Sequence, residues 1–126
     1  KVLKTKVIDS SCWIEIFANG ALAKKCQKEV STAKTIVVPS LIIYEVYRKV
    51  KQSISDESGL SATAYISQFE VKPLTREVAL LAADLSLQFK LGTADSLILA
   101  HAHELGAELI TLDNDFRGLP SVRVLA

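Results

Sequence analysis

LITLDNDF, residues 109–116, is an apolar run that stops at an acidic turn. The segment VID, residues 7–9, has the same form near the start of the chain. Short apolar runs bounded by polar residues predict buried strands, and sites in open α/β sheets lie just beyond the carboxyl ends of the strands. If these two strands are parallel neighbours, Asp9 and Asp113 therefore lie at the same edge of one sheet.

Short β runs alternate with helical patterns along the rest of the chain. We predict strands over residues 2–8, 35–38, 70–74 and 108–112, with a last edge strand over 122–125. We predict helices over residues 12–18, 21–31, 40–54, 60–69, 75–89 and 94–105, with a polar break over 53–59. Thr75 and Thr93 are the expected N-caps of the last two helices, and Gly106 is the expected C-cap. This alternation predicts an α/β fold with a mostly parallel central sheet of four to five strands.

The composition is that of an ordinary folded domain. The chain has 126 residues, of which 49% are hydrophobic and 23% are charged, so we expect one domain spanning residues 1–126. The net charge of +1 provides no strong basic field, which counts against a dedicated DNA-binding module. Two cysteines, Cys12 and Cys26, are too few for a disulfide framework and indicate free thiols in a reducing compartment. No apolar stretch has membrane-spanning length, and a cytoplasmic location is expected.

Four acidic residues lie where such a fold can bring them together: Asp9, Glu45, Asp95 and Asp113. Carboxylates that converge repel one another and therefore need a cation. Hard oxygen ligands of this kind suit Mg²⁺ or Mn²⁺. A cleft built in this way is a candidate for metal-assisted cleavage of phosphodiesters.

Each acid taken alone also has a structural explanation. Asp9 can cap the helix that follows it, and Asp95 can complement the dipole of its helix. The turn that begins at Asp113 can be an Asx turn. A helical wheel places Glu45 almost opposite the apolar stripe of its helix, where it would be a solvated side chain. Only the complete set, in this order, favours a metal site.

Four segments together resemble the motifs of PIN-domain proteins, specifically the VapC-type toxins of bacterial and archaeal toxin–antitoxin pairs. They are VIDSSCWIE (residues 7–15), PSLIIYEVYRKV (39–50), LGTADSLILAHA (91–102) and LITLDNDF (109–116). Each motif is loose by itself, but the ordered set in a chain of this length is specific.

The resemblance implies a three-layer PIN-like α/β domain with endoribonuclease activity. It implies that one or two Mg²⁺ or Mn²⁺ ions are held by Asp9, Glu45, Asp95 and Asp113. Asp9 and Asp95 would be direct ligands, and Glu45 would bind a metal or orient the attacking water. Asp115 is the alternate to Asp113, since family members vary around this loop; we favour Asp113 because it follows the strand directly.

Neighbouring polar residues can supply supporting contacts. Ser10 and Thr111 can hold metal ligands or phosphate oxygens through hydrogen bonds, although a helix cap and a strand end also explain them. Arg48 lies one helical turn from Glu45, so it can contact an RNA phosphate or simply pair with Glu45.

Aromatic and histidine side chains are expected to contribute less to the site. Trp13, Tyr44 and Tyr47 can stack on bases, but a place in the core or on a partner surface is favoured. His101 falls on the apolar side of its helix. This position predicts a partly buried histidine with satisfied hydrogen bonds rather than a ligand.

The resemblance also implies an RNA substrate, a cognate VapB-type antitoxin and a homodimer. The expected docking surface lies on the helices over residues 40–54 and 60–69. Their apolar residues exceed what one small core needs: Leu41, Ile42, Tyr44, Leu60, Tyr65, Ile66 and Phe69. An amphipathic antitoxin helix fits a groove between them, and a basic side chain beyond it would compete with metal for the carboxylates. The alternative is that these residues close the core or a homodimer interface.

Two other classes of function compete with the nuclease. A non-catalytic PIN-fold RNA-binding or interaction module is disfavoured, because keeping the complete acid set without a metal is costly. A phosphotransfer domain with an aspartate nucleophile is weaker still, because position 11 is serine and no lysine follows Lys90. The sequence leaves open which RNA would be cleaved.

Overall fold

A computed structural model describes residues 4–126. Its five strands are β1 (Thr5–Ile8), β2 (Thr35–Pro39), β3 (Glu70–Lys72), β4 (Glu108–Thr111) and β5 (Val122–Val124). Its helices are α1 (Ser10–Phe17), α2 (Ala23–Ser31), α3 (Ser40–Ser53), α4 (Asp56–Ile66), α5 (Arg76–Phe89) and α6 (Thr93–Glu104). A single turn of 3₁₀ helix, Asn114–Phe116, follows β4.

The strands form one parallel sheet in the order β3-β2-β1-β4-β5, and helices flank it. The predicted parallel α/β sheet is therefore confirmed, with every pairing parallel and β5 at an edge. The chain moves to one side of β1 through β2 and to the other side through β4. The switch point between β1 and β4 is where open α/β sheets form their binding crevices.

The β1–β4 pair is the centre of the core. Val7 pairs with Leu109 and Ile8 with Ile110, and these four side chains are at most 1% exposed. Apolar residues on both faces of a strand are typical of parallel sheets covered by helices. The conditional prediction is thus met, because the strands before Asp9 and Asp113 are parallel neighbours.

Most predicted element boundaries agree with the structure to within two residues, with two exceptions. The predicted first strand begins at residue 2, and its first two residues lie outside the described part of the chain. The prediction of a polar break over residues 53–59 is wrong, because α4 begins at Asp56 and ends at Ile66. Ser55 caps this helix by accepting a hydrogen bond from the Ser58 backbone N–H at 3.0 Å, and acids occupy the first turn.

Of the three predicted helix caps, only Thr75 is confirmed. Thr75 caps α5 as predicted, accepting a hydrogen bond from the Val78 backbone N–H at 3.1 Å. Thr93 is not a cap, because Gly92 holds the N-cap position of α6. Gly106 lies one residue beyond the C-cap and has a φ of 61°, a left-handed conformation that glycine adopts without strain.

An ion-pair network lies toward the amino ends of the strands. The Lys6 ammonium, 5% exposed, donates to Glu29 Oε1 at 2.8 Å and to Thr32 Oγ1 at 3.2 Å. Arg123 also binds Glu29, and it reaches Glu108 on β4. Hydrogen bonds from Arg123, together with Lys6, lower the pKa of Glu29 to about 2. A buried lysine is tolerated here because its charge is paired and its hydrogen bonds are made.

Cys12 and Cys26 are free and fully buried, in agreement with the prediction of free thiols. Burial raises the pKa of the Cys12 thiol well above its usual range, which removes the thiolate needed for nucleophilic chemistry. Among residues 4–126, no helix combines the length and the apolar character needed to cross a bilayer.

Candidate metal centre

The carboxyl edge of the sheet collects acidic side chains from four places in the chain. Asp9 follows β1, Asp113 follows β4, Glu45 lies in the second turn of α3, and Asp95 lies in the first turn of α6. Because α3 follows β2 and α6 precedes β4, both helices begin at this edge. Asp115 joins them from the 3₁₀ turn.

Asp95 lies close to the acids of the β4 turn and also interacts with Asp9. One carboxylate oxygen from each of Asp95, Asp113 and Asp115 lies within 4.8 Å of the others. The charge of Asp9 acts on both Asp95 and Glu45, and the charge of Asp95 also acts on Glu45. The structure therefore brings the four predicted acids and the alternate, Asp115, to one centre.

Two hydroxyl groups fix the carboxylate of Asp9. Thr111 Oγ1 donates to Asp9 Oδ2 at 2.7 Å, and Ser11 Oγ donates to the same oxygen at 3.0 Å. Thr111 Oγ1 also accepts a hydrogen bond from the Asp113 backbone N–H at 3.0 Å, and Ser11 Oγ accepts one from the Leu112 backbone N–H at 3.1 Å. Asp9 occupies the N-cap position of α1, but its side chain makes no capping hydrogen bond. The capping alternative therefore does not describe this carboxylate.

Ser11 is a supporting residue that the sequence reasoning did not assign to the site. Thr111 was predicted to hold a ligand, and its bond to Asp9 has that form. Ser10 instead lies near Glu45, where its hydroxyl opposes the rise of the Glu45 pKa. The available signal was the spacing of Ser11 two residues after Asp9, a spacing at which serine hydroxyls commonly turn back to local acceptors.

Glu45 is half-buried rather than solvated. Burial is the main reason that its pKa is raised, and repulsion from Asp9 and Asp95 adds to it. The helical wheel missed this because its apolar stripe left out Ile42, which is wholly buried one turn before Glu45 on the same side of α3. Arg48 is exposed and forms no ion pair with Glu45 among the described residues.

The turn after β4 has the alternative Asx geometry as well as a place in the cluster. Asp113 Oδ1 accepts a hydrogen bond from the Asp115 backbone N–H at 2.9 Å. The fully buried ring of Phe116 anchors the same turn. The Asx turn is thus the local device that holds the Asp113 and Asp115 carboxylates beside Asp95.

The centre carries negative charge that no protein cation neutralises. Within residues 4–126, no lysine, arginine or histidine lies within 4.0 Å of the five carboxylates. Burial raises the pKa of Asp9, and burial with repulsion from Asp113, Asp9 and Asp115 raises that of Asp95 from 3.8 to about 6. An all-oxygen donor set with uncompensated charge fits a hard divalent cation.

The sequence matches the PIN domain family over residues 6–121, and the chain belongs to this family. The predicted resemblance to PIN-domain proteins is confirmed. No curated protein sequence matches the chain.

Solved structures of toxin–antitoxin proteins share the fold. A toxin–antitoxin complex from Klebsiella pneumoniae superposes with a TM-score of 0.82 at 24% identity, covering 94% of this chain and 96% of that one. VapC20 of Mycobacterium tuberculosis, a toxin that cleaves the sarcin–ricin loop, gives 0.77 at 14% identity, covering 91% and 95%. VapBC-5 of the same organism gives 0.70 at 20% identity, covering 96% and 97%. At these identities the similarity establishes the fold alone.

The raised pKa of Asp95 predicts a specific pH dependence for the metal-free protein. The folded state holds a proton that the unfolded state, with a pKa near 3.8, releases. This contribution to stability is complete below about 3.8 and is lost as the pH rises through about 6. In EDTA, we expect Asp95→Asn to raise the melting temperature at pH 7 and to flatten its decline between about pH 4 and about pH 6.

Asp84→Asn is the matched control, because Asp84 is an exposed carboxylate on α5 outside the cluster. Melting curves of the three proteins at several pH values measure the effect. Parallel pH profiles for Asp95→Asn and the unmodified protein would show that Asp95 is not destabilised by its neighbours.

Proposed function

We propose that this chain is a Mg²⁺- or Mn²⁺-dependent endoribonuclease and the toxin of a VapBC-type toxin–antitoxin pair. The observation that carries the proposal is the convergence of five carboxylates at the β1–β4 switch point, where no lysine, arginine or histidine of residues 4–126 pairs with them. Membership of the PIN domain family supports nuclease chemistry. The fold shared with an RNA-cleaving toxin supports RNA as the substrate. A cytoplasmic location accords with this role.

The acids have different roles at the proposed site. Asp9, Asp95 and Asp113 hold the metal directly, and Glu45 binds it or orients the attacking water. When bound, a divalent cation polarises the scissile phosphate and lowers the pKa of a coordinated water. Thr111 and Ser11 keep Asp9 in one orientation through their hydrogen bonds to its Oδ2.

Residues beside the acids contact the substrate or position the acids. Ser10 acts through Glu45, because its hydroxyl opposes the rise of the Glu45 pKa that burial causes. Arg48 is exposed one turn beyond Glu45, so its guanidinium is free to neutralise an RNA phosphate.

The competing functions fit the geometry less well. A non-catalytic module would retain the unfavourable burial of Asp9 and the repulsion around Asp95 with no compensating ligand. A phosphotransfer domain would add the charge of an acyl phosphate at Asp9, beside Asp113, where no lysine of the described part of the chain pairs with the acids. Both alternatives leave the uncompensated charge unexplained.

The proposed antitoxin site is a narrower surface than the sequence predicts. Ile42 and Ile66 are wholly buried core residues, so they do not belong to it. Tyr65 is 42% exposed on α4 and packs edge-on against Phe17 of α1. A cavity of about 540 Å³ opens between Phe17, Tyr65 and the start of α4. An amphipathic antitoxin helix would bury this aromatic surface, and the proposal includes a homodimer of the chain.

The first prediction concerns the metal ligands. Asp9→Asn should lower Mg²⁺-dependent RNA cleavage by more than about 100-fold, because even outer-shell residues of metal sites contribute 10- to 100-fold. The variant should fold, and it should lose the rise in melting temperature that Mg²⁺ gives the unmodified protein. Asp84→Asn should retain both properties. Near-normal cleavage by folded Asp9→Asn protein, abolished by EDTA, would refute this assignment.

A second prediction separates the two acids of the β4 turn. Asp113→Ala should weaken Mn²⁺ binding more than Asp115→Ala, because Asp113 is less exposed and follows β4 closely. The loss of Asp113 also removes the hydrogen bond that holds the turn. Calorimetric titration of each variant measures the affinities. A larger loss in Asp115→Ala would make Asp115 the ligand and Asp113 its support.

A third prediction concerns the antitoxin surface. Tyr65→Glu should weaken binding of the cognate antitoxin by roughly 30-fold or more, as expected for a buried aromatic anchor. Leu80→Glu is the control, because Leu80 is 64% exposed on α5, away from this groove. Thermal unfolding establishes that both variants fold. Equal affinities for the two variants would place the antitoxin on another face.

A further inference from the structure

Arg117 immediately follows the 3₁₀ turn beside the five convergent carboxylates. We call these carboxylates the acid cluster, which consists of Asp9, Glu45, Asp95, Asp113 and Asp115. The Arg117 side chain is exposed, and no side-chain carboxylate of residues 4–126 lies within 4.0 Å of its guanidinium. Arg123, by contrast, binds Glu29 and Glu108. Because a guanidinium is always charged in proteins, Arg117 carries a positive charge that no acidic side chain neutralises.

Two oxygen atoms fix the orientation of this guanidinium. Nε and Nη2 of Arg117 donate to Asn114 Oδ1 at 3.0 and 2.6 Å, and Nη2 also donates to the main-chain oxygen of Ala126 at 3.0 Å. A guanidinium has five N–H donors, and Nη1 makes no hydrogen bond to residues 4–126. Two N–H donors of an oriented cation are therefore free for a ligand.

The register of the sheet places the guanidinium at the edge that carries the acids. Thr111 of β4 pairs with Val124 of β5, and the Leu125 backbone N–H continues the ladder by donating to the Thr111 carbonyl at 2.9 Å. Ala126 is therefore about level with Asp113 on the neighbouring strand, and neighbouring strands lie roughly 4.8 Å apart. The group that binds Ala126 is consequently next to the acid cluster but beyond ion-pair distance from its carboxylates.

The acid cluster lies between this guanidinium and α3. The ends of β1 and β4 carry Asp9 and Asp113, and these two strands lie between β2 and β5 in the sheet. Arg117 is on the β5 side, whereas Arg48 is exposed on α3, which follows β2. Two arginines that form no ion pair with a side chain of residues 4–126 therefore flank the cluster from opposite sides.

The chemistry of this arrangement fits the backbone of a nucleic acid. A guanidinium binds phosphate oxygens through charge-assisted hydrogen bonds. The acid cluster, once it holds a divalent cation, attracts a phosphate as well. The carboxylate of a partner protein would also bind Arg117, but it has no second anionic group to place at the metal. Successive phosphates of one RNA strand satisfy both positions.

We propose that Arg117 binds a phosphate of the RNA on the β5 side of the acid cluster. This inference rests on the proposed ribonuclease function and adds a substrate-binding residue to it. With Arg48 on the α3 side, the RNA backbone is held on both sides of the scissile phosphate. Asn114 is a positioning residue, because its side-chain oxygen orients the guanidinium.

The salt dependence of RNA binding tests this contact without cleavage. Ca²⁺, which also takes carboxylate oxygens, replaces Mg²⁺, and fluorescence anisotropy measures the affinity at several KCl concentrations. The probe is a labelled single-stranded RNA of mixed sequence and roughly 12 nucleotides. Each phosphate contact with a single strand contributes about 0.7 to the slope of log Kd against log salt. Arg117→Gln should lower the slope by that amount, and Arg117→Lys should keep it. An unchanged slope in Arg117→Gln would overturn the proposal.

Lys34→Gln is the matched control. It removes one exposed positive charge immediately before β2, at the opposite edge of the sheet, so its slope should equal that of the unmodified protein. Arg117→Gln keeps an amide that can donate to Asn114, and thermal unfolding establishes that each variant folds.

Mn²⁺ affinity separates substrate binding from mere support of the acid turn. Arg117→Gln should bind Mn²⁺ at least as tightly as the unmodified protein, because a positive charge has been removed from the neighbourhood of the metal. Calorimetric titration measures this affinity. Weakened Mn²⁺ binding together with an unchanged salt slope would show that Arg117 only supports the turn and the end of β5, and the proposal would fail.

Cleavage provides the last measurement. With Mg²⁺, Arg117→Gln should lower kcat/KM for RNA by about 10-fold or more, at the lower end of the range for losing a hydrogen bond to a charged group, and Arg117→Lys should lose less. A reduced salt slope without any metal-dependent cleavage would support the phosphate contact and refute the proposed function. Metal-dependent cleavage with an unchanged slope in Arg117→Gln would do the reverse.

Discussion

The repulsion among carboxylates at the carboxyl edge of the sheet is the constraint on which the arrangement of this protein depends. Burial, together with repulsion from Asp113, Asp9 and Asp115, raises the pKa of Asp95 to about 6. Packing of β1 against β4 must hold the acids together despite this repulsion. Val7, Ile8, Leu109 and Ile110, all essentially inaccessible to solvent, provide that packing directly beneath the site.

Hydrogen bonds from Thr111 and Ser11 fix the position of the Asp9 carboxylate. Thr111 is a residue of β4, but its hydroxyl serves Asp9 at the end of β1, so the two strand ends act as one unit. Ser11 closes the same small network from α1, since it contacts both Asp9 and the backbone after β4. The position of the Asp9 carboxylate is therefore a property of the strand pairing and does not depend on a flexible loop.

The sequence predicted the sheet well because its strands are short, apolar and separated by helical patterns. Such runs are compatible with few structures other than buried strands. It predicted the order of the acids for the same reason, since Asp9 and Asp113 follow strands. Its failures involve tertiary contacts. Glu45 is half-buried because it lies one turn after the wholly buried Ile42, and a wheel drawn for one isolated helix cannot show which of its apolar residues faces the core. Likewise, the polar residues around Ser55 form a capped helix start, which the residue types alone indicated as a break.

The structure keeps its strongest ion pairs away from its acid cluster. Lys6, Glu29, Arg123 and Glu108 connect α2, β1, β4 and β5 toward the amino ends of the strands, where every charge has a partner. The unpaired charges lie at the opposite edge, so replacing one of them with a neutral side chain relieves repulsion and leaves the scaffold intact. In evolutionary terms, a single substitution can silence such a site while the cell still accumulates the folded protein. A silenced copy with an unaltered surface would then compete with the active form for any shared partner.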